Sequence, residues 1–175
     1  MWPWKQKLPT CDLQLLMVCT GNICRSPTAE AVMRKLLAEH GLHTVIGVDS
    51  AGTHALAGSP PDPRSVAAAS RRGYELSNLR ARQFVPSDFE RFNHIIVMDG
   101  DNLRWLRAQE SPHAAHKAQL LMAHRRQQPG VADVPDPYYG APEGFEHVLT
   151  LIEDACQGLL LSLMDQRQAR GDAPQ

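Results

Sequence analysis

The chain has 175 residues, 43% of them hydrophobic and 21% charged, which fits one globular domain with a sizeable core. A net charge of -1 argues against a general nucleic-acid binder. No apolar run approaches about 20 residues, and the N-terminus lacks the apolar stretch of a secretion signal, so we expect no membrane insertion. Four cysteines in a chain of this length do not make a disulfide scaffold, which favours a reducing, cytoplasmic compartment.

Strands and helices are predicted to alternate along the chain. Short apolar runs predict strands over 13–19, 44–52 and 94–99, and a run of ambiguous period predicts a fourth over 117–123. Helical spacing predicts helices over 27–41, 63–72, from residue 101, and 143–166. This alternation predicts an α/β three-layer sandwich with a central four-stranded parallel sheet. We expect residues 1–12 to be an N-terminal extension, 13–166 a single domain and 167–175 a disordered tail.

The loop after the first strand, CTGNICR over 19–25, has the features of a phosphate-binding loop. In such sheets ligands bind at the carboxyl ends of the strands, which is where this loop lies. Gly21 allows successive backbone N–H groups to turn inward, and the following helix adds a partial positive charge. Arg25 offers a planar guanidinium that matches two phosphate oxygens. The loop is not a nucleotide P-loop, because the Gly-Lys-Ser/Thr ending is missing.

Cys19 is the candidate nucleophile of this loop. The helix N-terminus and Arg25 favour its thiolate form, and a thiolate facing a bound phosphoryl group can attack phosphorus. A bare Cys-x5-Arg spacing also occurs by chance. The position of this motif directly after a predicted buried strand is what indicates a catalytic role. A structural zinc site would need a second pair of ligands, and the sequence offers none at suitable spacing, so we expect no metal.

Asp136, in VPDPYYG, is the candidate general acid. The oxygen that leaves phosphorus must be protonated as the P–O bond breaks, and an aspartate in a loop fixed by proline and glycine suits that task. The alternative is an ordinary Asp-Pro turn, with Tyr138 and Tyr139 packing on the surface.

Five motifs in this order resemble the low-molecular-weight protein tyrosine phosphatases, in their bacterial branch: VCTGNICRSPTAEAV, DSAGTHA, PPDPR, VMDGDN and VPDPYYG. The resemblance runs from about residue 13 to 163. It implies hydrolysis of phosphotyrosine through a phosphocysteine intermediate, without a metal or other cofactor. The substrate would be a tyrosine-phosphorylated protein, one candidate being a bacterial tyrosine kinase of exopolysaccharide export, and a monomer is the simplest expectation.

The resemblance also implies roles for single residues. Cys19 would be the nucleophile, Arg25 would hold the phosphoryl oxygens, and Asp136 would act first as acid and then as base. Ser26 would donate a hydrogen bond to the Cys19 thiolate. Asn22 would hold the loop in shape through a network that includes Ser50.

The remaining loop and cleft residues receive further roles by the same resemblance. Thr20, Gly21, Ile23 and Cys24 would complete the phosphate-binding loop. Cys24 would also trap an oxidised Cys19 as a reversible disulfide, and the alternative is a small residue that only packs the loop. The substrate cleft would be lined by Tyr138, Tyr139 and, in the variable wall THALAG, by His54 and Leu56.

Three other functions fit these residues less well than phosphotyrosine hydrolysis. Arsenate reductases of this fold need a further cysteine pair downstream, which the chain lacks. Protein arginine phosphatases carry Thr where this chain has Ile23 and usually Phe where it has Tyr138, so both residues favour an aryl phosphate. A non-catalytic phosphotyrosine- or phosphate-binding module would be expected to lose Cys19, Arg25 or Asp136. Thr20 departs from the larger apolar residue of many members and makes the cleft wall smaller and more polar.

Overall fold

Four parallel strands form the centre of the protein in a computed structural model that describes residues 11–109 and 115–171. They are β1 (Leu13–Cys19), β2 (Ile46–Gly52), β3 (His94–Val97) and β4 (Ala118–Leu120), in the order β2-β1-β3-β4. The predicted parallel sheet of four strands is therefore confirmed. Most of the predicted N-terminal extension and the last four residues lie outside the described residues.

Within the described residues, five α-helices cover the two faces of this sheet: α1 (Arg25–Glu39), α2 (Pro63–Arg71), α3 (Asp88–Arg91), α4 (Gly100–Gln109) and α5 (Glu143–Ala169). Helix α1 begins two residues before Pro27, which therefore lies in its first turn. Helix α5 includes 167–169, so the prediction of a disordered tail from residue 167 was wrong for these three residues. The run predicted as a fourth strand forms only three strand residues, followed by a 3-10 helix over Leu121–His124.

The residues of β1 alternate between two apolar cores, because side chains of a strand point to opposite faces. Leu15, Met17 and Cys19 join the core beneath α1 and α5, whereas Leu16 and Val18 join the core with the phenylalanines near α3 and α4. Four of these five side chains are fully buried, and Cys19 is 2% exposed. Burial on both faces explains why β1 has an unbroken apolar sequence.

Helix α5 is long and apolar enough to cross a membrane by length and composition alone, and it is the one such helix among the described residues. Half of its most apolar stretch is buried inside the protein. Its buried face packs against α1, α2 and the 3-10 helix over Leu121–His124. These contacts are those of a core helix in a globular domain.

The strand order determines where a ligand can bind. The chain moves from β1 to β2 on one side and then passes to β3 on the other side of β1. Such a change of direction leaves a crevice at the carboxyl ends of the two strands that flank it. The loop that follows β1 and the loop that follows β3 therefore meet at this edge of the sheet.

Candidate active site

Cys19, the last residue of β1, lies at the base of the loop between β1 and α1. Its Sγ is 3.0 Å from Ser26 Oγ, and the backbone N–H of Asn22 donates to the same sulfur at 3.3 Å. Helix α1 begins directly behind this loop, and Cys24 makes no side-chain hydrogen bond that would cap it. The sulfur therefore accepts a backbone hydrogen bond and contacts a hydroxyl at the positive end of a helix.

Asn22 holds the loop in an unusual backbone conformation. Its φ of 54° is in the left-handed region, where asparagine is tolerated better than most residues. Its Nδ2 donates to Ser26 Oγ and to Ser50 Oγ, both at 2.9 Å, and its Oδ1 accepts from the backbone N–H of Arg82 at 2.8 Å. All polar positions of this buried side chain are thus used to fix the loop.

The loop after β2 supports the phosphate-binding loop from one side. The backbone N–H groups of Thr53 and His54 donate to the carbonyls of Cys19 and Thr20, both at 2.9 Å. A Cβ atom at Gly52 would lie 2.6 Å from the Thr20 carbonyl oxygen, so only glycine permits this close approach. This requirement explains the glycine of the DSAGT motif.

Arg25 is buried, with 2% of its side chain exposed, and its guanidinium is held by charged groups from two distant loops. NH1 donates to Asp99 Oδ2 at 2.5 Å and to the Val134 carbonyl at 3.1 Å. NH2 faces Asp136 Oδ2 at 3.1 Å and Thr20 Oγ1 at 3.4 Å. Burial alone would lower the pKa of Arg25, but the negative charges of Cys19, Asp136 and Asp99 outweigh it and raise that pKa.

Asp136 reaches the site from the loop that precedes α5. One carboxylate oxygen faces Arg25, and the other accepts from the backbone N–H of Tyr138 at 3.1 Å. The rings of Tyr138 and Tyr139 meet edge to face at 4.9 Å, and the two residues are 42% and 96% exposed. Both tyrosines are therefore accessible beside the carboxylate.

His54 lies beside the loop, against an aromatic residue that the sequence analysis did not single out. Its ring contacts Trp105 edge to face at 5.7 Å, and Trp105 contacts Phe84 in the same manner. Asn102, one turn before Trp105 on α4, donates to Thr20 Oγ1 at 3.2 Å. Leu56, from the same variable wall as His54, is 79% exposed.

Cys24 is buried just behind the loop, and all four cysteines are free thiols. Burial raises the pKa of Cys24 to about 12, and the negative charges of Asp62, Cys19 and Asp136 act in the same direction. A hydrogen bond from Ser65 opposes this shift only in part. Cys24 is therefore protonated at neutral pH.

Two carboxylates of the site were missed by the sequence analysis. Asp99 lies two residues after the end of β3, and an aspartate just past an apolar strand pattern was a signal that could have marked it as a candidate. Glu30 lies on the buried face of α1, accepts from Ser50 Oγ at 2.5 Å and pairs with Arg34. Burial raises the pKa of Glu30 to about 7, although Arg34 opposes the shift. The signal for Glu30 was a charged residue among the apolar positions of a helix.

The fold and the site together define a class of protein: a small α/β protein with an anion-binding cysteine loop at the carboxyl edge of a parallel sheet. Within the described residues, no group of three or more His, Cys, Asp or Glu side chains is arranged to hold a metal ion. Residues 14–169 match the family model of the low molecular weight phosphotyrosine protein phosphatases.

Individual relatives agree with that match over nearly their whole length. A low molecular weight protein-tyrosine-phosphatase of Streptomyces coelicolor is 42% identical over 90% of this chain and 97% of its own. A protein tyrosine phosphatase of Entamoeba histolytica, solved with Hepes in the active site, has a TM-score of 0.84 at 37% identity, over 89% of this chain and 99% of its own. Vibrio vulnificus Wzb in complex with benzylphosphonate has a TM-score of 0.74 at 33% identity, over 86% of this chain and 98% of its own. The chain belongs to the low molecular weight phosphotyrosine protein phosphatase family.

Proposed function

We propose that this protein hydrolyses phosphotyrosine in proteins, and small aryl phosphates, through a phosphocysteine intermediate. The observation that carries the proposal is the convergence of three groups: Cys19 at the base of an N–H-lined loop, the buried Arg25 beside it, and Asp136 at 3.1 Å from that arginine. The benzylphosphonate bound by the related Wzb, in which a CH2 group joins the phosphonate to an aromatic ring, supports an aryl phosphate as substrate.

In the first step the Cys19 thiolate attacks phosphorus, so that an S–P bond forms while the bond to the phenolic oxygen breaks. The guanidinium of Arg25 and the backbone N–H groups of the loop stabilise the negative charge on the phosphoryl oxygens. Asp136, in its protonated form, gives its proton to the leaving phenolate.

In the second step the Asp136 carboxylate takes a proton from a water molecule, and the resulting oxygen attacks the phosphorus of the phosphocysteine. Cys19 leaves as a thiolate. The hydroxyl of Ser26 and the N–H of Asn22, which both contact Cys19 Sγ, stabilise that negative charge. Inorganic phosphate is the product, and the enzyme returns to its starting form.

Side chains around the loop supply the remaining roles. Tyr138 and Tyr139 bind the substrate ring from one side, and His54 with Leu56 contacts it from the other. Cys24 forms a disulfide with Cys19 after oxidation and so protects it from irreversible damage. A reducing, cytoplasmic location is proposed because four cysteines in a chain of this length do not make a disulfide scaffold. The proposed partner is a tyrosine-phosphorylated protein, such as a bacterial tyrosine kinase of exopolysaccharide export, bound by a monomeric enzyme.

The test is hydrolysis of p-nitrophenyl phosphate at mildly acidic pH without added metal and with EDTA present. We expect turnover by the wild-type protein, and its absence would overturn the proposal. Cys19→Ser should bind phosphate but not turn over, with residual activity below about 1% because the nucleophile is lost. Asp136→Asn should slow substrates with poor leaving groups most, since they depend most on the proton.

A further inference from the structure

We propose that Arg64 is a positioning residue that holds the acid loop, defined here as Asp136–Tyr138, against the phosphate-binding loop. The inference rests on the proposed function, because it assigns Arg64 a part in proton transfer by Asp136. Arg64 lies in the first turn of α2, outside the phosphate-binding loop.

One side of Arg64 is fixed to the protein through Asp62. Arg64 donates from Nε to Asp62 Oδ1 at 3.0 Å and from NH2 to Asp62 Oδ2 at 2.8 Å. Such a two-point pairing sets the plane of the guanidinium as well as its position. The hydrogen bonds from Arg64 also lower the pKa of Asp62, which favours its charged form.

Asp62 is in turn fixed to the phosphate-binding loop. Its backbone N–H donates to the carbonyl of Ile23 at 2.8 Å, and the residue is 8% exposed. Arg64 is therefore linked through Asp62 to the same loop that contains Cys19 and Arg25.

The other side of Arg64 contacts the acid loop and the start of α5. NH2 donates to the carbonyl oxygen of Tyr138 at 3.0 Å. The guanidinium carbon lies 5.6 Å from the centre of the Tyr138 ring and 4.5 Å from that of Phe145. Both distances are within the range of cation–π attraction.

The backbone N–H of Tyr138 donates to Asp136 Oδ1, so the residue held by Arg64 is the one that orients the candidate acid. Apart from the ion pair of Asp136 with Arg25, the acid loop has few buried contacts, because Asp136 and Tyr138 are exposed and only Pro137 among its three residues is buried. A loop with few buried contacts opens readily. Without Arg64 we expect Asp136 to leave its productive position for part of the time.

The experiment compares kcat/KM for aryl phosphates of different leaving-group pKa between wild type and Arg64→Met, which keeps the aliphatic stem but removes the donors and the charge. For phenyl phosphate we expect a loss of about 10-fold, a fraction of what general acid catalysis contributes, and for p-nitrophenyl phosphate a loss below about threefold. Arg64→Lys should recover part of the loss, since an ammonium can still donate to the Tyr138 carbonyl. Arg71→Ala, which removes an exposed arginine of the same helix that pairs with Glu146, is the matched control and should leave both values unchanged.

Combination with Asp136→Asn separates a positioning role from a merely structural one. If Arg64 acts through Asp136, Arg64→Met should lower kcat/KM no further in the Asp136→Asn background. An equal loss for all leaving groups, or full additivity in the double variant, would overturn the inference even if both variants melt at the wild-type temperature. Failure of the proposed function would look different, because the wild-type protein itself would then release no phenol.

Discussion

The buried Arg25 forms an ion pair with the partly buried Asp99, 74 positions away in the sequence, with 2.5 Å between Asp99 Oδ2 and Arg25 NH1. The second oxygen of Asp99 accepts from the backbone N–H of Asn102 at 2.7 Å, so the carboxylate is itself fixed by the first turn of α4. With NH1 used by Asp99, NH2 is turned toward Thr20 and Asp136. Asp99 thus fixes one side of the guanidinium before any phosphate arrives.

Asp99→Asn should destabilise the protein and slow turnover, because Arg25 would keep its buried charge without its closest anion. Removal of one partner of a buried pair costs about 3–5 kcal/mol, and the amide oxygen that remains reduces this to about 2–3 kcal/mol in the free energy of unfolding. Urea unfolding measures that change. Asp101, two residues after Asp99, forms an exposed ion pair with Arg104. Asp101→Asn should lower the free energy of unfolding by less than about 1 kcal/mol. Equal losses in the two variants would contradict the prediction.

The contrast between Cys19 and Asp99 shows what the sequence can predict. The apolar run of β1, Gly21 and Arg25 are local signals from which the phosphate-binding loop could be predicted, and the alternation of strand and helix patterns predicts the parallel sheet. The ion pair of Asp99 with Arg25 depends on the order of β1 and β3 in the sheet, which no local pattern contains. Helix α3 has only four residues, too few for a periodic signal.

Asn22 supports two separable predictions, one for its backbone and one for its side chain. Asn22→Ala should lose the hydrogen bonds to Ser26 and Ser50 and keep the unfavourable φ, whereas Asn22→Gly loses the same bonds but relieves the backbone. We expect both variants to turn over more slowly. In urea unfolding the glycine variant should be more stable than the alanine variant by about 1 kcal/mol, the usual cost of a left-handed residue. If the two variants had equal free energies of unfolding, the φ of 54° at this position would carry no energetic cost.

Cys24 should be dispensable for turnover and needed for recovery from oxidation. Because burial raises its pKa to about 12, Cys24 is not expected to compete with Cys19 for substrate, and Cys24→Ser should retain kcat within about twofold. After a hydrogen peroxide pulse, dithiothreitol should restore the wild type but not Cys24→Ser. Peptide mass spectrometry should then find sulfinic acid at Cys19. Cys11→Ser, which removes a half-buried thiol before β1, is the control and should recover as the wild type does.

Glu30 makes the stability of the protein depend on pH. The buried carboxyl accepts from Ser50 and pairs with Arg34, and the charges of Asp49 and Arg82 also act on it. Its pKa rises from an ordinary value of 4.5 to about 7 on folding, so between these values the folded protein binds more protons than the unfolded chain. The free energy of unfolding therefore decreases as pH rises from about 4.5 to 7 through this group.

Glu30→Gln should remove this dependence, because glutamine has the same shape and does not titrate. Its amide oxygen can still accept from Ser50, and the half-exposed Arg34 can turn to solvent. Between pH 4.5 and pH 8 the free energy of unfolding of the variant should rise, relative to that of the wild type, by on the order of 2–3 kcal/mol. Urea unfolding at several pH values measures it, with Glu39→Gln at the exposed end of α1 as control. A constant difference across that range would show that Glu30 does not take up a proton on folding.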